Sequence, residues 1–184
     1  MIMPFGPLAP RIAPDAFVAP TAAVIGDVEL GPEASLWFHT VARADVHFIR
    51  IGARTNVQDA CVLHVTGGRH PLHIGEDVSI GHRAVVHGCT VGSRVLIGMG
   101  AVVLDGARIG DDSIVGAGAV VPEGAEFPPR SVVLGVPARR TRELTEGERE
   151  RIRRTRDDYL ALTRAYRACP PGAARGPFAP GAED

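Results

Sequence analysis

An aliphatic residue recurs every six positions along most of this chain, and that period limits the possible folds more than any other feature. The series runs Ile12, Val18, Val24, Leu30, Leu36, Ala42 and Phe48, then resumes after a three-residue slip at Ile51, Val57 and Leu63. Beyond Val65 to Leu72 it continues through Ile74, Ile80 and Val86, slips by one, and runs on through Val91, Ile97, Val103, Ile109, Val115, Val121, Phe127 and Val133. Six residues match neither the 3.6-residue turn of a helix nor the alternation of a long strand. They match a solenoid of very short strands joined by turns, three units to a coil, with the anchors stacked as an interior column. A small residue stands four places after most anchors, as at Ala22, Ala34, Cys61, Ala84 and Ala119, where a tight corner is expected. Glycine directly follows many anchors, as at Gly52, Gly81, Gly98 and Gly116, and is expected there for backbone angles that a β-carbon forbids.

Composition agrees with such a scaffold. Nine of the 184 residues are aromatic while glycine and proline together number 37, a balance foreign to a helical bundle. All 20 basic residues are arginine, so a P-loop lysine and a Schiff-base enzyme are excluded. Residues 1–138 carry a net charge of −4 and residues 139–167 one of +4, which leaves the main body without a nucleic-acid footprint. Cys61, Cys89 and Cys169 match neither a zinc ribbon nor a disulfide framework and point to a reducing cytoplasm. Met1 to Pro10 lacks the features of a signal peptide, and no stretch approaches the roughly 18 apolar residues of a membrane span. A soluble, cytoplasmic protein with no membrane or nucleic-acid partner is expected.

The repeat ends after Val133. Thr145 and Glu148 then form a capping box, and Ile152, Tyr159, Leu162 and Tyr166 recur at helical spacing on a surface rich in Arg and Glu. The expected layout is a solenoid over residues 1–138, a helix within 139–168 that starts near 146 and lies along the solenoid by that stripe, and a disordered tail over 169–184.

All seven histidines fall between positions 39 and 87. Taken singly, each is satisfied as a surface histidine, but the repeat places them relative to one another. Leu63 and Val86 are one coil apart once the loop after Val65 is set outside. His64 and His87, each one residue past its anchor, therefore stack on one face about 5 Å apart, within chelating reach. Arg43 follows Ala42 and falls one coil below His64 if the slip near Phe48 is also a bulge. His82 is one unit earlier, on a different side of the prism, which it shares with Gln58. A three-histidine site thus needs two chains, one giving His64 and His87 and its neighbour giving His82, as closed threefold symmetry would provide.

Arg43-Ala-Asp45, Asn56-Val-Gln58-Asp59, His64 and Gly81-His82-Arg83-Ala-Val-Val-His87-Gly88 resemble the signature of the gamma-class carbonic anhydrases, a family of hexapeptide-repeat proteins, over roughly residues 10–168. The resemblance implies a mainly β fold, a left-handed parallel β-helix with a C-terminal α-helix packed along it. Its handedness comes from the resemblance alone, since connection rules favour the right hand. The resemblance further implies a homotrimer with sites between subunits, and zinc, ferrous iron or cobalt on His64, His82 and His87. By the same resemblance Arg43 and Asp45 form an ion pair, while Gln58 and Asp59 order the interface and the metal-bound water. The activity implied is zinc-dependent reversible hydration of carbon dioxide to bicarbonate by a metal-bound hydroxide, available because zinc lowers the pKa of its water to about 7.

The sequence departs from the family pattern at the proton shuttle. Val46 stands where a glutamate follows the Arg-x-Asp motif, and the loop from Val65 to Leu72 contains no glutamate. His70 or His73 is left to carry protons, and slow hydration is expected. An acyl-CoA thioesterase on the same metal site and a non-catalytic metal-binding or assembly protein remain as alternatives. A hexapeptide acyltransferase, which needs one histidine and no metal, leaves the other two unexplained.

Overall fold

The computed structural model describes residues 1–169, and the expected tail lies, Cys169 apart, outside the described residues. Short parallel strands stack coil upon coil and bring the anchors into three columns. One joins Val24, Ala42, Leu63, Val86, Val103 and Val121. A second joins Ile12, Leu30, Ile51, Ile74, Val91, Ile109 and Phe127. The third joins Val18, Leu36, Val57, Ile80, Ile97, Val115 and Val133. These side chains fill one continuous core, each contributing about 1.5–3 kcal/mol where fully buried. The chain is a parallel β-solenoid. Strands Ala23–Leu30 and Val41–Ile51 run through a corner and join the first two faces into one sheet, while the third face forms another.

Two expectations about the coils are corrected. Phe48 is not an anchor. The register jumps from Gly26 opposite Ala44 to Val28 opposite Ile49, so Asp45 to Phe48 bulge outward and Ile51 takes the core position beside Leu30. The Phe48 ring sits outside against His47 and His73, with the Arg50 guanidinium 4.5 Å from its centre. Nor are the glycines after the anchors there for unusual backbone angles. A β-carbon at Gly98 would stand 2.3 Å from the Ala117 nitrogen of the next coil, and one at Gly52 would stand 2.5 Å from the Gly75 oxygen. Close approach between coils excludes a side chain there.

The left-handed backbone falls elsewhere, on glycines such as Gly88, Gly100 and Gly118 and also on residues with side chains. Glu33, Arg54, Asp77, Arg94, Asp112 and Arg130 all have φ between 53° and 62° and stack at one corner with alternating charge. Arg54 bonds Asp77 at 2.7 Å and Arg94 bonds Asp112 at 2.9 Å.

At the C-terminal edge, strands Ser131–Gly135 and Ala138–Glu143 pair antiparallel, so a strand occupies most of the stretch between 138 and the helix. Helix Glu146–Ala168 starts at a capping box in which Thr145 and Glu148 satisfy each other's backbone N–H. It runs back down the third face, its Arg149, Arg156 and Arg164 reaching the acidic members of the corner ladder, Asp112, Asp77 and Glu33. Ile152 is buried with Val132 and Leu144, and the rings of Tyr159 and Tyr166 pack edge-on against Trp37. Leu162, expected in this stripe, is 44% exposed, and Thr163 is buried instead. Position 162 lies about 80° round the helix from Ile152, beyond the packed face.

Candidate metal centre

His64 and His87 close the strands Val62–His64 and Val85–His87 and are direct partners in the parallel ladder. Their ring centres are 5.0 Å apart, and Nδ1 of His64 faces Nε2 of His87 at 3.0 Å. Each ring has a carboxylate on its other nitrogen. Asp45 Oδ1 lies 3.2 Å from Nε2 of His64, and Asp105 Oδ1 lies 2.6 Å from Nδ1 of His87. Arg43, one coil below, donates to the other oxygen of Asp45 in a close ion pair. The Thr66 hydroxyl donates to the other oxygen of Asp105 at 2.6 Å.

A carboxylate accepts only, so each takes its imidazole's N–H and leaves the opposite nitrogen with a lone pair. The two nitrogens facing each other are then both bare. Two ligands of one tetrahedral zinc, each about 2.05 Å from the ion, stand about 3.3 Å apart, close to the observed pair. Donor type and second partner both fit a divalent ion. Burial, reinforced by Arg43 and opposed by the Asp45 hydrogen bond, pushes the His64 pKa down and favours the neutral ligand form. Burial pushes Asp45 up, but hydrogen bonds from Arg43 and His64 outweigh it and hold the carboxyl below its usual value. Asp105 behaves alike, with Thr66 and His87 overcoming burial.

His82 does not join this pair. It sits in the turn after the third-face strand Ser79–Ile80, where Asp59 Oδ2 holds its Nδ1 at 2.8 Å and the Tyr159 hydroxyl lies 3.4 Å from its Nε2. Among the described residues of one chain, no three His, Cys, Asp or Glu side chains converge as a ligand group. Each of the three histidines nonetheless has its own carboxylate.

Asp59 also accepts from the Phe38 backbone N–H at 3.2 Å. Gln58 is buried, its Nε2 donating to Asn56 Oδ1 at 3.1 Å while Asn56 donates to Ser79 Oγ at 2.8 Å. That chain fixes which end of the Gln58 amide is left to accept. Gln58 lines a cavity of about 390 Å³ beneath the helix, with Leu96, Met99, Ile114, Arg142 and Arg151.

Val46 is exposed in the bulge. Of the two histidines offered as shuttles, His73 lies on the second face, its ring 5.1 Å from that of Phe48. His70 lies in the loop closed by the Thr66–His70 bridge, beside Gly88 and Gly106. Sequence reasoning missed Asp105 and Thr66, and read Tyr159 as packing only. The available signal was register: Asp105 is two residues past its anchor Val103, directly above Gly88.

The repeat family described as "Bacterial transferase hexapeptide (six repeats)" matches residues 71–103 and 88–123. Protein YrdA of Escherichia coli is 42% identical over 172 residues, covering 90% of this chain and 94% of its own. A carbonic anhydrase of Geobacillus kaustophilus is 44% identical, covering 91% and 92%. The mitochondrial gamma carbonic anhydrase 1 of Arabidopsis thaliana is 43% identical over 87% of this chain, which spans 60% of that longer protein. A solved Bacillus cereus structure, assigned provisionally as an acetyltransferase, superposes with a TM-score of 0.89 at 42% identity, covering 91% of this chain and 97% of that one. Coils and relatives together define a hexapeptide-repeat protein. Within that class the chain belongs to the gamma-class carbonic anhydrase-like family. Among the described residues no helix is long and apolar enough to cross a membrane.

Proposed function

We propose that this protein is a zinc-dependent carbonic anhydrase, able to use ferrous iron or cobalt, that interconverts carbon dioxide and bicarbonate at sites between the subunits of a homotrimer in the cytoplasm. The observation that carries this reading is the facing pair of bare imidazole nitrogens on His64 and His87, 3.0 Å apart and each backed by a carboxylate. His64 and His87 hold the ion from one chain, and His82, steered by Asp59, completes the set from the next. A divalent ion in that position supplies the Lewis acidity that makes water nucleophilic near neutral pH. Gln58, fixed by Asn56, accepts from the attacking water and orients it. Arg43 neutralises Asp45, so the pair holds His64 without an uncompensated charge beside the ion.

A second copy of the chain is supported by the outward-facing residues flanking the two histidines. Val41, Val62, Val85, Val102 and Val120 form an apolar stripe on the first face, all left partly exposed in the single chain. Covering such a stripe with a neighbour removes it from water.

A hydrolase acting on acyl-coenzyme A is the second reading. It is favoured by Val46, which leaves no shuttle carboxylate after Asp45, and by the partly apolar cavity that reaches Gln58 and Gly81 next to His82.

Metal analysis and stopped-flow hydration on protein prepared without oxygen separate these. The expected result is about one ion per chain, with hydration that disappears together with the ion in His82→Ala. Absence of any ion contradicts both readings. A bound ion with no hydration but cleavage of acyl-coenzyme A moves the assignment to the hydrolase.

A further inference from the structure

We propose that Asp105 is a positioning residue of the metal centre, holding the His87 ring so that Nε2 rather than Nδ1 is presented to the ion. The inference rests on the metal-site reading above and adds a residue to it. Asp105 comes from the turn after strand Val102–Val103, one coil beyond His87, so nothing in the local chain requires it to meet that ring. It meets it at 2.6 Å through Oδ1, while Oδ2 accepts from the Thr66 hydroxyl at 2.6 Å. Thr66 opens the loop two residues after His64. One carboxylate therefore braces one candidate ligand directly and the segment following the other.

The backbone is shaped around this carboxylate. Gly88, the residue after His87, has a φ of +49°, and a β-carbon there would stand 2.1 Å from Asp105 Oδ1 and 2.9 Å from the β-carbon of His70. Any side chain at 88 would displace the carboxylate from the imidazole. The Gly106 N–H donates to the Gly88 carbonyl at 2.8 Å, which locks the two turns together. A carboxylate on the outer nitrogen of a ligating histidine fixes the tautomer and makes the inner nitrogen a better donor. A residue that merely anchored the Thr66 loop would need the hydroxyl contact and not the imidazole one.

The test measures zinc affinity of the full chain by competition with a chromophoric chelator, beside the melting temperature of the metal-free protein. Asp105→Asn keeps the shape and one acceptor but removes the charge. It should weaken zinc about 10- to 100-fold, the usual loss when a partner behind a ligand is removed, with little change in melting. In imidazole nitrogen-15 NMR spectra of the metal-free protein the same substitution should shift His87 away from the Nδ1–H tautomer, because that is the N–H the carboxylate holds. Thr66→Val, which leaves the carboxylate in place but removes one of its two donors, should weaken zinc in the same direction by less. It serves as the test should Asp105→Asn fail to fold.

Wild-type affinity in Asp105→Asn overturns the proposal and leaves the metal site standing. A loss of affinity in Asp105→Asn with the His87 tautomer unchanged also overturns it and makes the role structural, as does unaltered affinity in Thr66→Val should Asp105→Asn fail to fold. Failure of the unaltered protein to bind zinc, ferrous iron or cobalt overturns both.

Discussion

The hydroxyl of Tyr159, on the C-terminal helix, lies 3.4 Å from Nε2 of His82. The helix thus touches the third histidine on the nitrogen that Asp59 leaves free. Burial, with Asp59 and Cys61 nearby, pushes the Tyr159 pKa up to about 12, so the group remains a protonated donor at neutral pH.

Tyr159→Phe keeps the ring packed on Trp37 and should leave the melting temperature near that of the unaltered protein. Because the hydroxyl competes for Nε2, its loss should raise zinc affinity severalfold at most, consistent with a hydrogen bond of about 1 kcal/mol. Equilibrium zinc titration checks this, and a loss of affinity would show that the hydroxyl supports the ion instead. Tyr159→Ala should cost about 2–3 kcal/mol in denaturant melts through lost aromatic packing.

Asp77 receives Arg54 at 2.7 Å and Arg156 at 2.9 Å, so it ties the corner ladder to the helix. Burial pushes its pKa up, but hydrogen bonds from both arginines outweigh this and hold it below the usual value. A depressed carboxyl contributes stability above its unfolded pKa of about 3.9 and loses it as pH falls through the folded value. Asp77→Asn should therefore cost about 2 kcal/mol at neutral pH, between the values for exposed and buried pairs. It should also flatten the acid limb of stability below pH about 4, as read by denaturant midpoints across that range.

Alkaline stability depends in part on Cys61, whose thiol is pushed up to about 11 by burial. The unfolded thiol ionises first, near 9, so stability is fully present below that pH and declines as pH rises toward 11. The decline attributable to this group is about 2–3 kcal/mol. Cys61→Ala should remove that part of the slope in urea melts between pH 8 and 11, and an unaltered slope would contradict the burial of the thiol.

Ile97 is fully buried on the third face between Ile80 and Val115. Ile97→Val should cost about 0.5–1.5 kcal/mol, whereas Ile97→Asp leaves a charge without a partner in the stack and should yield no soluble folded protein. A cooperative melt from Ile97→Asp would contradict the stacked-column core.

The six-residue period made the core legible because each anchor's role depends only on its place in the coil. The same register places His64 beside His87 and Arg43 beneath them. Phe48 mimics an anchor because a bulge changes the count without changing residue chemistry, and an aromatic residue falls at the sixth position. Leu162 falls in with the stripe in sequence because helical spacing does not say where the packed face ends. Asp105 was hidden for a different reason: its partner, His87, is 18 residues away and on another coil, and only the space left by Gly88 reveals the contact. Hydrogen bonds between coils leave a trace in sequence only when the register at that exact turn is known.

Mixing two disabled chains tests the shared site most directly. His82→Ala retains His64 and His87, while His87→Ala retains His82, and neither should hold zinc alone. Refolded together, they should form mixed trimers in which one interface combines the intact halves, restoring about one ion per mixed trimer along with a fraction of the hydration rate. Recovery of neither ion nor activity in mixed trimers, or a full complement of zinc in His82→Ala by itself, would contradict a centre divided between neighbouring chains.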